Sequence, residues 1–195
     1  MNHWFTADTH LGHGRIIEYC KRPFFNSEEM EEVTLHRFNE VLRPGDTLFH
    51  LGDIAWSSYP LERFFSRLRT KQVQLILGNH DRKKHSEYSK HCTWVGDLKG
   101  VTLPGGYAVL CHYPLRSWNR KGHGSVHLYG HVHGNLPGHD RSLDVGVDTK
   151  NFYPWHWDEI RDRLKDVPLF SDRDPDHHTP SIGVNVSSRG SSDLV

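Results

Sequence analysis

Two hydrophobic periods alternate along the first half of the chain. Short apolar runs of strand length occur at Trp4 to Ala7, Thr47 to Leu51 and Val73 to Leu77, and each is bounded by polar or turn-forming residues. Between them the spacing changes to that of helices. Arg15 to Lys21 predicts a short helix stopped before Pro23, because the residue preceding a proline disfavours helical backbone. Asn26 to Leu42 predicts the clearest helix. Asn26 with Glu29 has the capping-box pattern, and Met30, Val33, Phe38, Val41 and Leu42 recur at helical spacing. Pro44-Gly45-Asp46 then marks a turn. Leu61, Phe64, Phe65 and Leu68 stand at i, i+3, i+4 and i+7, one apolar face of a second helix.

In the second half the strand period dominates. Arg82 to His91 is polar and basic and reads as loop or short helix. Val101 to Leu103 and Tyr107 to Cys111 predict a hairpin across Pro104-Gly105-Gly106. Residues 116–124 form a surface loop around Trp118, Val126 to Tyr129 and Leu143 to Val147 are further strands, and Trp157, Ile160 and Leu164 suggest a last helix. From Ser171 the composition shifts to Ser, Asp, Pro, Gly and His. The prediction is one domain over 1–170 and a flexible tail over 171–195. Early alternation of strands and helices with later hairpins implies layered α/β architecture, two sheets face to face with helices outside.

Each apolar run empties into a polar cluster. Asp8-Thr9-His10 follows the first, Gly52-Asp53 the second, Gly78-Asn79-His80-Asp81 the third, His112 the hairpin, and Gly130-His131-Val132-His133 the run at 126–129. Residues i and i+2 of a strand face the same way, so His131 and His133 are expected to point into one site. Strand ends are where α/β folds place active sites. These clusters are either metal ligands meeting along one sheet edge or ordinary strand-end turn formers.

Composition sharpens this in one respect. The chain of 195 residues has 17 histidines, and neutral imidazole is the commonest metal ligand. The formal net charge is zero, so no overall basic field attracts nucleic acid or membrane. Cys20, Cys92 and Cys111 are widely spaced, with no CxxC pair, and read as free thiols in a reducing, cytoplasmic setting. Neither a signal peptide nor a membrane span is expected.

The five blocks, DxH, GD, GNHD, H and GHxH in that order, resemble the calcineurin-like metallophosphoesterase superfamily over roughly residues 3–150. Thr6 to His13, His112-Tyr113-Pro114-Leu115 and Asp144 to Asp148 are similar to its compact bacterial and phage phosphoesterases. The resemblance implies a four-layer α-β-β-α sandwich of two mixed sheets flanked by helices. It also implies two divalent cations. Asp8, His10 and His133 would hold the first, Asn79, His112 and His131 the second, with Asp53 bridging. Manganese leads for such nitrogen and oxygen donors, with iron, zinc and nickel as alternatives. A shared water would attack phosphorus, and His80 would act as hydrogen-bond donor or general acid. Cys111 replaces a common family glycine, as small filler or adventitious soft ligand. Trp56 and Ser57-Ser58 stand where the protein-phosphatase branch carries aspartate and Arg-Gly, which argues against a protein phosphatase.

For substrate contact the candidates are His13, Arg116 and Trp118. His13 either touches substrate or caps the following helix. Arg116 either clamps a phosphate or is solvated. Trp118 either stacks on a base or folds back on the core. Arg82-Lys83-Lys84 is a positive rim or a solvated face, His50 and His127 are packing histidines, Asp148 is expected to fix backbone near the site, and His177-His178 belongs to the tail. The expected substrate is a phosphodiester or nucleotide, with a nucleic-acid end among the candidates. A small-molecule phosphomonoester, long DNA, or a non-catalytic interaction module are the other readings.

Overall fold

The computed structural model describes residues 1–82 and 85–169. Two mixed sheets pack face to face. The first contains β1 (His3–Thr6), β2 (Thr47–His50), β3 (Gln72–Ile76), β4 (Trp94–Gly96) and β9 (Trp155–His156) in the order β4-β3-β2-β1-β9. Its first four strands are parallel and β9 is antiparallel to β1. The second sheet has the order β5-β6-β7-β8, from β5 (Leu98–Leu103), β6 (Gly106–Cys111), β7 (Val126–Tyr129) and β8 (Ser142–Asp144). β5 and β6 form the expected hairpin, with Leu103 paired to Gly106, and β6, β7 and β8 are parallel.

Strand alternation divides the core in two. Phe5, Ala7, Phe49, Leu51 and Ile76 face the second sheet and meet Ala108, Leu110, Val126 and Leu128. Leu48, Val73 and Leu75 face the other way, beneath α1 (Arg15–Tyr19), α2 (Ser27–Val41) and α3 (Ser58–Arg67). The face of α3 is the one the sequence predicts: Leu61, Phe64 and Phe65 are buried, with Leu68 just beyond. Burying each such side chain is worth about 1.5–3 kcal/mol. In α2 the buried set shifts to Met30, Thr34, Leu35 and Phe38, leaving Val33 half-buried. Asn26 caps α2 by accepting from the Glu29 N–H, but Glu29 returns its carboxylate to the Phe25 N–H rather than to Asn26. The Arg82 to His91 stretch contains the one-turn helix α4 (His85–Tyr88), and the last helix, α5 (Trp157–Leu164), closes one end of the inter-sheet core. The far side of the second sheet is covered by residues 113–125, where Trp118 lies against His127 of β7.

Strands β4 and β9 are three and two residues long, too short to show a period in the sequence. The expected strand over Leu143 to Val147 ends at Asp144. Gly146 instead forms a parallel bridge with Ala7, which joins the two sheets where their parallel strands end. The tail over 171–195, with His177-His178, and Lys83-Lys84 lie outside the described residues. Among the described residues no helix is long and apolar enough to cross a membrane.

Candidate metal centre

Because the parallel strands of both sheets run towards that joined edge, the loops after β1, β2, β3, β6 and β7 converge there. They bring two ligand groups together. Asp8, His10 and His133 form one, and Asp53, His112 and His131 the other, with the ligand atoms of each group within 4.8 Å of one another. Asp53 lies between them: its Oδ2 is 3.7 Å from His10 Nε2 and 3.5 Å from His112 Nε2. Asn79 Oδ1 lies 3.1 Å from His112 Nε2, and His80 Nε2 is 3.9 Å from Asp53 Oδ2.

His131 and His133 line the same cleft and fall in different groups, the apportionment the resemblance implies, but strand alternation is not what aims them. Both lie beyond β7 in left-handed backbone, with φ of 73° and 50°. The alternation of a strand does not operate there. Asp8, His10 and Asp53 are left-handed too, with φ of 58°, 49° and 55°. Such backbone costs a non-glycine residue on the order of 1 kcal/mol or more, and clusters of it mark functional sites. The glycines beside these residues are there for space. A Cβ on Gly78 would overlap Asp53 Oδ1, and one on Gly130 would stand 2.5 Å from Asp8 Oδ2.

The hydrogen bonds of the candidate ligands leave a consistent remainder. Asp8 Oδ2 accepts from the His131 N–H at 2.8 Å, while its buried Oδ1 has no partner. Asp53 Oδ1 accepts from the His80 N–H at 2.9 Å, leaving Oδ2. His112 Nδ1 donates to Leu51 O at 2.7 Å and His133 Nδ1 donates to Asp148 Oδ2 at 2.8 Å, so the Nε2 of each is left as a lone-pair donor. The buried Nε2 of His10 has no partner. Unpaired buried polar atoms cost roughly 1–3 kcal/mol each. A divalent cation within each group would satisfy them, and nitrogen with carboxylate oxygen is a donor set that manganese, iron, zinc and nickel accept. The residues therefore fit the implied metals.

Electrostatics point the same way. Burial, reinforced by the Asp144 and Asp53 carboxylates, pushes the Asp8 carboxyl well above the usual range, and burial also raises Asp53 and Asp144. Burial, with Arg22 and His133 nearby, strongly lowers the His10 pKa. A carboxyl raised in the folded state contributes stability that is full below its unfolded pKa, near 3.9, and lost as pH rises through the folded value. The metal-free chain therefore carries a growing penalty at Asp8 towards neutral pH, whereas a cation needs the carboxylate. Manganese at a hundred times its pH 7.5 Kd is expected to raise Tm by roughly 5–10 °C near pH 7.5, from about 2.7 kcal/mol of linkage for one site, and by less at pH 5.5 at the same manganese concentration. Calorimetry at the two pH values checks this; an equal shift at both contradicts it.

Two carboxylates, the buried Asp81 and the half-buried Asp148, hold the loops in place, together with an arginine that no sequence motif marks. Arg22 bonds both oxygens of Asp148, at 2.8 and 2.7 Å, and also donates to the backbone carbonyls of Asp8 and Thr9. Asp148 thus grips the His133 ring and, through Arg22, the Asp8–Thr9 backbone. Burial alone would raise its carboxyl, but His133 and Arg22 hold it below the usual range. Asp81 accepts from the N–H groups of Asp53, Ile54 and Gly78 and from the Tyr88 hydroxyl, tying the loops after β2 and β3 together. Asp81 closes the Gly78-Asn79-His80-Asp81 block of the sequence, whereas no motif contains Arg22; each acts by being buried and paired, which only the fold reveals.

The substrate candidates separate. His13 lines a cleft of about 670 Å³ over the candidate ligands and does not cap α1, whose N-cap has no side-chain bond. Trp118 is 8% exposed and donates from Nε1 to Ser125. It has folded back on the core and cannot stack on a ligand. Arg116 is exposed but is not part of the cleft wall; its carbonyl accepts from Lys121 Nζ. Arg82 pairs with Asp97 at 3.5 Å. Arg15, Ile16, Tyr19 and Trp56 line the cleft instead. His50 and His127 are buried packing residues, bonded to Thr9 and to the Val109 carbonyl. Cys111 is buried filler, with its thiol pushed up by burial, and belongs to neither ligand group.

No family model matches the chain. It is 30% identical over 167 residues to the uncharacterized protein MJ1445 of Methanocaldococcus jannaschii, covering 80% of this chain and 88% of that protein. It is 28% identical to the Gene 66 protein of Mycobacterium phage L5, covering 76% of this chain and 87% of that protein. The crystal structure of AQ665, a protein of unknown function from Aquifex aeolicus, has the same fold, with a TM-score of 0.70 and 24% identity over 84% of this chain and 99% of that one. The chain belongs to one family with MJ1445.

Proposed function

We propose that this protein is a dinuclear metal-dependent phosphoesterase acting on phosphodiesters or nucleotides. The observation that carries it is the remainder just described: Asp8 Oδ1 and His10 Nε2 buried without a partner, the Nε2 atoms of His112 and His133 left as lone pairs, and two ligand groups with Asp53 Oδ2 between them. Asp8, His10 and His133 would hold one cation, Asn79, His112 and His131 the other, with Asp53 shared between them. Bound there, divalent cations, manganese foremost, supply Lewis acidity that activates water at neutral pH and neutralises charge on phosphoryl oxygens.

The chain's own residues do the rest. Arg22 and Asp148 hold the Asp8 loop and the His133 ring in register, so the ligands need not reorganise when substrate enters. His80 stands at the mouth of the site, with its backbone fixed on Asp53 Oδ1 and its ring partly exposed. There it holds a proton on Nε2 for the leaving oxygen. Among the described residues Arg15 is the cationic side chain lining the cleft. A monoester dianion carries more charge than a diester and calls for more cationic contacts, so the wall favours diesters. The thiols of Cys20, Cys92 and Cys111 are unpaired, which fits a reducing, cytoplasmic setting.

The test is to strip the metals and restore manganese, iron, zinc, nickel and magnesium separately. Hydrolysis of bis-p-nitrophenyl phosphate is then compared with that of p-nitrophenyl phosphate. Metal-dependent turnover preferring the diester is expected. Preference for the monoester moves the assignment to a small-molecule phosphatase. Two bound ions without turnover of any phosphate ester point to an interaction module.

A further inference from the structure

Resting on the phosphoesterase reading, we propose that the outer wall of the cleft is a nucleobase platform. On it, Trp56 backed by His13 stacks the unpaired base of a nucleoside phosphodiester whose phosphoryl group lies at Asp53 and His80. Trp56 is held in place from both ends. Its backbone N–H donates to Leu11 O at 2.8 Å, and Leu11 forms a parallel bridge with Ala55. Its ring lies parallel to the His13 imidazole, with centroids 4.2 Å apart and planes 12° from coincidence. The indole is nonetheless 50% exposed. A large rigid ring kept on a cleft wall, rather than folded inward as Trp118 is, is a preorganised stacking surface: little side-chain freedom is lost when a planar ligand covers it.

Its position suits one ligand class. The Trp56 ring centre is 5.4 Å from that of His80, and His13 is 5.5 Å from His10. The platform is therefore one ring away from the candidate acid and the first ligand group, a separation a single nucleoside spans. Tyr19, 68% exposed, and Ile16 continue the apolar wall, and Arg15 adds one positive charge for a neighbouring phosphate. A base inside a duplex has no free face to offer, so the ligand is a nucleotide or a single-stranded end. Stacking is tolerant of base identity, so little sequence preference follows.

The experiment compares thymidine 5′-(p-nitrophenyl phosphate) with methyl p-nitrophenyl phosphate, which share a leaving group and differ in the nucleoside. The full chain is used with manganese, as wild type, Trp56→Ala, Trp56→Leu and Trp56→Phe. Wild type is expected to prefer the nucleoside ester. Trp56→Ala and Trp56→Leu are expected to reduce that preference roughly ten- to a hundredfold, through KM rather than kcat, the size of one base–aromatic stack. Trp56→Phe retains most of it. Equal use of both esters by wild type, or a preference that survives in Trp56→Leu, overturns the platform while leaving the phosphoesterase reading standing. Turnover of neither ester by metal-loaded wild type overturns that reading, and the platform with it.

Discussion

Asp53→Asn is expected to lose cooperative binding of the two cations and to lower kcat/KM by about a thousandfold or more. Removing a mere outer partner of a metal ligand typically costs ten- to a hundredfold, and Asp53 Oδ2 lies within 4 Å of a ligand atom from each group, on His10 and on His112. The substitution isolates the charge. Asparagine tolerates the left-handed backbone at this position (φ 55°) as well as aspartate does, and its oxygen can still accept from the His80 N–H. Stability should move the opposite way. Burial raises the Asp53 carboxyl in the metal-free chain, so near pH 7 its ionised form is a liability until a cation arrives. Metal-free Asp53→Asn is therefore expected to melt higher than metal-free wild type, by roughly 2–4 °C for each kcal/mol relieved. Metal content by elemental analysis and melting curves with and without manganese test both halves. Two tightly bound ions per chain in the variant would remove Asp53 from its bridging role.

His80→Ala is expected to separate chemistry from metal binding. The structural work of residue 80 is done by its backbone N–H on Asp53, which alanine retains, and the imidazole is partly exposed at the cleft mouth. Metal content and Tm should stay at wild-type values, while kcat falls roughly 10²–10⁴-fold, the usual worth of a positioned general acid or base. The loss should shrink for esters with better leaving groups, which need protonation least. A variant with wild-type kcat on a poor leaving group would exclude the acid role, and one that lost metal would make His80 a ligand.

Much of the fold could be read from patterns that survive in short windows. The apolar face of α3 and the hairpin over Pro104-Gly105 are where the periods place them. The misses have local causes. β4 and β9 are too short for alternation to register. In α2, Leu35 and Thr34 take the buried position expected of Val33, because the approach of α3 rather than the helix's own period decides which flank is covered.

For the site, the sequence by itself determined which chemical groups are available and that each follows an apolar run. Asp8, His10, Asp53, Asn79, His80, His112, His131 and His133 were all legible on those grounds, because a strand end and a ligand-bearing loop are both local features. What only the tertiary structure decided is how they are aimed and supported. Left-handed backbone, not strand geometry, aims the rings of His131 and His133. Trp118 turns inward onto His127 and Ser125 while Trp56 stays on the cleft wall. Arg22 reaches Asp148 across 126 positions of sequence. Side-chain direction is periodic only inside a regular element, and burial and charge pairing depend on neighbours brought together when the two sheets join at Ala7 and Gly146.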